Sequence, residues 1–176
     1  MKSPVSKFVL VGLAVALLVA GLMIWRARPA EQVIRLGYIG SLSGKYGALG
    51  TSARNGALLA QETLNAACNQ TGRIYELVIQ DDKGDPEQAV LSMRNLEGNG
   101  TRIIVGPFLS SCGKAVCEVL GPQGPLLVSP TVATDEVAGR DDYFIKMYPG
   151  TKDIGAHLAR YASSSLGLTS VSVVFD

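Results

Sequence analysis

VIRLGYIGSLSGKY, residues 33–46, decides the fold of this chain. Residues 33–40 form a short apolar run of the length and composition of a strand. That run meets a small, polar, glycine-rich turn ending in Tyr46, and a long helical pattern opens at Thr51 or Ser52. In an open α/β sheet, ligands bind in the crevice beyond the carboxyl ends of the strands. A Ser-Leu-Ser-Gly turn at such an end offers hydroxyls and backbone amides to a small polar ligand. The arrangement returns at GPFLSSCGK (106–114) and at LLVSPTVAT (126–134). Three polar turns, each on the end of an apolar strand, point to one binding mouth.

Strands and helices alternate outward from there. Residues 52–68 place Ala53, Ala57, Leu58, Ala60, Gln61, Leu64 and Ala67 at helical spacing. IYELVIQ (74–80) reads as a second strand. In DDKGDPEQAV (81–90), Asp85 is placed to cap a helix, Pro86 to occupy its first turn and Gln88 to complete a capping box. That helix runs to about Glu97 and stops at Gly98-Asn99-Gly100. RIIVG (102–106) is a third strand, apolar enough to be central and parallel. A helix from about Cys112 to Leu120, a strand at 126–129, a turn capped by Thr134 and a strand at 143–147 come next. Pro149-Gly150 breaks the chain, 151–166 reads as a helix, and SVSVVF (170–175) begins another strand. This order predicts an α/β fold, a parallel sheet with helices on both faces. A last strand with nothing beyond it would be an unpaired apolar edge, so the reading favours a fragment that folds poorly alone.

The N-terminus is of another kind. From Phe8 to Trp25 there is no charged residue, and eighteen residues at helical rise cover about 27 Å, close to the hydrocarbon thickness of a bilayer. A cleaved signal peptide is the rival reading, but Arg28 and Pro29 stand where small cleavage-site residues are wanted. No cysteine stands after the run to carry a lipoprotein anchor. The expectation is a cytoplasmic stub (1–7), a transmembrane signal anchor (8–25) preceding the folded part, and a linker (26–32). Either kind of segment delivers the rest of the chain to the outside of the inner membrane.

Residues 1–30 hold four of the sixteen Lys and Arg and none of the fifteen acids, leaving twelve bases against fifteen acids, a formal −3. No basic patch is visible, which argues against a nucleic-acid partner. Cys68, Cys112 and Cys117 read as small buried or half-buried thiols. With His157 the only histidine and no CxxC, no metal or other cofactor is expected. Gly44-Lys45 and Ser111-x-x-Lys114 resemble fragments of phosphate-loop and Ser-x-x-Lys patterns, but both lack their partner residues. No histidine-based triad or acid pair supports an enzyme.

Taken in order, GSLSGKYGALG (40–50), NGALLAQETLN (55–65), DDKGDPEQAV (81–90), VGPFLSSCG (105–113), LLVSPTVAT (126–134) and YFIKMYPG (143–150) resemble the N-terminal half of a type 1 periplasmic binding protein. The branch is the one that binds leucine, isoleucine and valine for an ABC importer. The resemblance implies two α/β lobes closing on a ligand about hinge strands. Residues 33–147 would be lobe one, and 148–176 the hinge crossing and the start of lobe two. It also implies a small-molecule ligand, an amino acid or a relative, and an ABC permease as partner. The alternative is the sensing ectodomain of a membrane-anchored receptor.

By the same resemblance, Ser110 holds the ligand carboxylate, with Ser111 beside it; the other reading is that these serines cap the adjoining helix. Tyr46 walls the pocket. Family members commonly read Ser-Pro-Ala-Ala-Thr where this chain has Ser129-Pro130-Thr131-Val132-Ala133. Thr131 thus offers backbone and hydroxyl, while Ala133 stands at the usual threonine position with its backbone N–H and no hydroxyl. Asp81 and Asp82 are read as structural and left out of the site.

Overall fold

A computed structural model describes residues 12–14, 17–21, 23, 32–68, 72–139 and 143–172. Five strands form one parallel sheet: β1 (Gln32–Gly40), β2 (Arg73–Asp81), β3 (Ile103–Val105), β4 (Leu126–Ser129) and β5 (Phe144–Lys146), in the spatial order β2-β1-β3-β4-β5. The helices are α1 (Gly47–Cys68), α2 (Pro86–Gly98), α3 (Ser110–Val119) and α4 (Thr151–Arg160), the last running on as a π-helical turn, Tyr161–Ser165.

Alternation along β1 sends successive side chains to opposite faces. Ile39 packs with Ile104, Leu127 and Phe144 of the neighbouring strands against Ala89, Met93 and Leu96 of α2 and Val116 of α3, and this is the main core. Tyr38, one residue earlier, faces the other way and donates its hydroxyl to Gly50 O of α1 at 3.0 Å. Helices therefore lie on both faces, as the alternation of elements predicts. The α1 side covers less of the sheet, and Ile103 and Ile145 stay 41% and 49% exposed.

β2 is an edge, and its outer backbone groups need partners. α1 supplies them: Asn65 Oδ1 accepts from Tyr75 N–H (2.7 Å), Asn65 Nδ2 donates to Tyr75 O (2.9 Å), and Gln61 Oε1 accepts from Leu77 N–H (3.0 Å). Polar residues on the inner face of α1 thus continue the sheet's ladder.

Several boundaries differ from expectation. α1 begins at Gly47, a turn before Thr51, because the 3₁₀ turn Gly44–Tyr46 feeds directly into it. Ser52, expected to open the helix, instead bonds back to Ala48 O (3.0 Å), the habit of a serine inside a helix. α3 starts at Ser110 rather than Cys112. β3 stops at Val105, since Gly106 turns to φ 110. Asp85 caps α2 by accepting from Gln88 N–H, but its own N–H bonds Asp82 O (2.8 Å), so the second half of the capping box is not used.

The strand expected at 170–175 does not form over 170–172, and its remainder lies outside the described residues. Half of the expected membrane span at 8–25 also lies outside them; residues 12–14, 17–21 and 23 are helical. Among the described residues no helix is long and apolar enough to cross a membrane.

Candidate functional site

β1 and β2 pair in strict register from Gln32↔Arg73 to Gly40↔Asp81, so their turns leave the sheet side by side. Asp82 comes next and is fully buried. Its Oδ1 accepts from Ser41 Oγ (2.7 Å) and Gly84 N–H (2.8 Å). Asp81 grips the same pair of turns. Its Oδ1 accepts from Leu42 N–H and Lys83 N–H (both 2.8 Å), and its Oδ2 from Ser43 Oγ (2.6 Å). Burial pushes the Asp81 carboxyl up, but the Ser43 hydroxyl and the Lys83 and Leu42 amides together outweigh it and hold it below its ordinary value. These two carboxylates build the first wall of the mouth, a role that reading Asp81 and Asp82 as a strand end and helix start passed over. No local pattern marks that role, because it depends on the β1–β2 register that sets them opposite Ser41 and Ser43.

Tyr46 ends the first turn at 37% exposed, with Lys45 Nζ 5.3 Å from its ring centroid. The third strand's turn begins at Gly106, where an added Cβ would fall 2.1 Å from Ile39 O. Only glycine admits that φ and that approach together. The chain then passes a cis Gly106–Pro107 bond to Phe108, whose ring lies 5.3 Å from that of Tyr38.

Ser129, fully buried at the end of β4, joins the third and fourth turns: its Oγ donates to Pro107 O (2.7 Å) and accepts from Val132 N–H (3.2 Å). Thr131 adds a second tie, donating to Phe108 O (2.6 Å). A third runs from Ala133 N–H to Ser110 Oγ (3.3 Å). Ser110, Thr131 and Ala133 are thus brought together, with Tyr46 on the neighbouring turn.

Neither serine caps α3. The N-cap is Leu109, without a side-chain cap bond, and Ser110 is already the first helical residue. Ser110 is half-buried, and among the described residues its hydroxyl proton meets no acceptor. Ser111 is exposed, and its hydroxyl bonds the buried Cys112 thiol. Burial and the Asp82 charge raise that thiol to about 11 despite the bond from Ser111. The backbone groups of Ala133 are both engaged, since its carbonyl accepts from Thr151 N–H (3.2 Å) while its N–H goes to Ser110. The N–H expected to be on offer at Ala133 is therefore used inside the protein. Among the described residues no group of His, Cys, Asp and Glu is placed to hold a metal.

Comparison with known proteins agrees with this architecture. The chain is 32% identical over 148 residues to the Leu/Ile/Val-binding protein BraC3 of Rhizobium johnstonii, covering 84% of this chain and 40% of the relative. It is 31% identical over 111 residues to the leucine-, isoleucine-, valine-, threonine- and alanine-binding protein of Pseudomonas aeruginosa, covering 63% and 30%. The crystal structure of the branched-chain amino acid transporter substrate-binding protein LivJ from Streptococcus pneumoniae, in complex with isoleucine, superimposes with a TM-score of 0.67 at 28% identity. That match covers 77% of this chain and 39% of LivJ. The chain thus spans about two-fifths of the length of BraC3 and of LivJ. A family model described as periplasmic binding protein matches residues 33–176. The chain belongs to the type 1 periplasmic binding proteins, in their branched-chain amino acid family.

Proposed function

We propose that this chain carries the first lobe of an extracytoplasmic solute-binding protein that captures an amino acid between two lobes for ABC-type import. Residues 33–147 form that lobe, and 148–176 carry the hinge crossing and the start of the second. The protein performs no chemistry; closure on the ligand is its output. The observation that carries the reading is Ser110. Its oxygen is fixed by Ala133 N–H and its proton is free to be given away, at a helix N-terminus that lacks a side-chain cap. A hydroxyl and first-turn amides at that place suit a carboxylate. Tyr46 supplies an apolar wall, Thr131 its hydroxyl oxygen and backbone, and Ser111 stands exposed beside Ser110.

The charge-free stretch 8–25 supports attachment to the inner membrane, with the lobe on the outer side. Leu13, Leu17, Leu18 and Met23, helical within it, are each more than 60% exposed. The Leu/Ile/Val-binding relatives support transport over sensing.

The test is calorimetric titration of the full natural protein with L-leucine, L-isoleucine and L-valine, repeated on Ser110→Ala. Losing a hydrogen bond to a charged group costs about 1.5–3 kcal/mol, roughly ten- to a hundredfold in affinity. Unchanged affinity in Ser110→Ala removes the serine from the site, and absence of binding to any of the three overturns the reading.

A further inference from the structure

We infer that the turn Asp81–Gly84 sets the position of Tyr46, with Asp81 as the positioning residue through which the mouth's aromatic wall is held. This rests on the ligand-binding reading above for Tyr46, and deepens it. The turn has an uncommon backbone: Lys83 and Gly84 are consecutive left-handed residues, at φ 54 and φ 74. Lys83 adopts that region although a side chain disfavours it. The Asp81 carboxylate meets the Lys83 N–H and the Asp82 carboxylate the Gly84 N–H, so the two side chains enforce the conformation.

The result is a platform. A Cβ added at Gly84 would fall 3.0 Å from Tyr46 Cδ2, 3.4 Å from Leu109 Cδ1 and 3.6 Å from Ser41 Oγ. One added at Gly44 would fall 3.2 Å from Lys83 O. The turns after β1 and β2 therefore pack back to back, and the edge of the Tyr46 ring lies over the bare backbone of Gly84. Asp81 ties the other end of the Tyr46 turn through Leu42 N–H and Ser43 Oγ. Once Asp81 is removed, the side-chain tie left at the base of the 42–46 loop is Ser41 Oγ on Asp82. Asp81 touches no ligand; it acts through Tyr46.

The experiment is a double-mutant cycle in the full protein. Wild type, Asp81→Ala, Tyr46→Ala and the double variant are titrated with L-leucine and with the bulkier L-phenylalanine. Amide hydrogen exchange at Leu42 and Lys83 and the Tyr46 ring-proton shifts are followed without ligand. Asp81→Ala is expected to weaken leucine about tenfold, the scale of one lost charge-assisted contact, and to narrow the leucine-to-phenylalanine ratio several-fold. It should have no further effect once Tyr46 is alanine. Asp81→Asn, which keeps an acceptor for both amides, should recover most of the affinity. Should Asp81→Ala fail to fold, Ser43→Ala on the exposed turn takes its place, with a smaller effect in the same direction.

Additive effects in the cycle, or an unchanged ratio with unmoved Tyr46 shifts, overturn the inference. Should wild type bind none of the amino acids while exchange at Leu42 and Lys83 rises and the Tyr46 shifts move, the positioning role stands and the ligand reading falls.

Discussion

Replacing Ser129 by alanine removes one oxygen and almost no volume, yet the structure makes it an expensive change. The Ser129 hydroxyl is fully buried and joins two turns by donating to Pro107 O and accepting from Val132 N–H. Val132 and Pro107 are themselves fully buried, so water cannot take the place of the lost partner. Each net hydrogen bond contributes about 1 kcal/mol, and a buried group left without a partner costs about 1–3 kcal/mol. The 3.2 Å bond to Val132 is the weaker of the two, and the carbonyl of Pro107 tolerates loss better than an N–H does. The expected loss is about 2–4 kcal/mol, a large share of the roughly 5–15 kcal/mol that holds a typical domain together. Urea unfolding followed by circular dichroism measures it, with the slope checked for constancy. Ser52→Ala is the control: the same substitution at an exposed hydroxyl bonded back to Ala48 O should change stability by less than about 0.5 kcal/mol. If Ser129→Ala costs no more than Ser52→Ala, the joint between the turns is not what holds the mouth.

Three further outcomes are expected from the geometry. Gly106→Ala sets a Cβ 2.1 Å from Ile39 O at a φ of 110, so a loss above about 4 kcal/mol is expected, seen as a collapsed soluble yield or unfolding midpoint. Asn65→Ala frees Tyr75 N–H and C=O on the edge of β2; about 1–2 kcal/mol should go, with concentration-dependent association on a sizing column as the exposed edge finds partners. Stability should fall at both ends of the pH scale. Hydrogen bonds from Thr151 and Lys152 hold Asp135 below its ordinary 3.8, and the net effect on Asp81 is also downward. What these carboxylates contribute is therefore present above about pH 4 and lost as pH drops through their folded values. Cys112 (raised from 9.0 to about 11) and Tyr38 (raised from 10.0 to about 12 by burial, then by the Asp82 charge, with Arg54 opposing) favour the neutral form when folded. Their contribution is present below about pH 9 and lost as pH climbs toward 11 and 12, measured as urea midpoints across that range; a flat profile contradicts the burial of both groups.

The sheet was legible because its strands are apolar runs ended by glycine or polar turns, a signal that needs no long-range information. The start of α2 was equally plain, since Asp85-Pro86 encodes it locally. What sequence could not deliver were facts set by pairing. That Asp81 and Asp82 hold Ser41, Leu42 and Ser43 depends on the β1–β2 register, which brings together residues about forty positions apart. That Ser52 lies inside a helix reflects a 3₁₀ turn at Gly44–Tyr46 running directly into it. The site residues were named by resemblance, and their neighbourhood is set by the parallel sheet, but the use of Ala133 N–H by Ser110 is a contact between the first turn of α3 and the loop after β4 that no local pattern records.

The polar groups of the mouth divide into those that build it and those left to touch a ligand, and the division is uneven. Ser41 and Ser43 donate to carboxylates, Ser129 and Thr131 to carbonyls, and Ala133 commits both its backbone groups. Of the predicted contacts among the described residues, Ser110 is half-buried with a hydroxyl proton that meets no acceptor, Ser111 is exposed and Tyr46 offers a ring. On the proposed reading, one hydroxyl, the first-turn amides of α3 and an aromatic face would orient a carboxylate, but they hold little that separates one side chain from another. Selectivity would then rest on how far Tyr46 stands from Ser110, with Asp81 holding the turn that carries Tyr46. The stability and affinity effects of substitution should therefore separate: Ser110→Ala lowering affinity at a stability cost of about 1 kcal/mol for the freed Ala133 N–H, Ser129→Ala costing more stability. If wild type and the two variants fall on one line in a plot of affinity against stability, the mouth and its scaffold are not distinct.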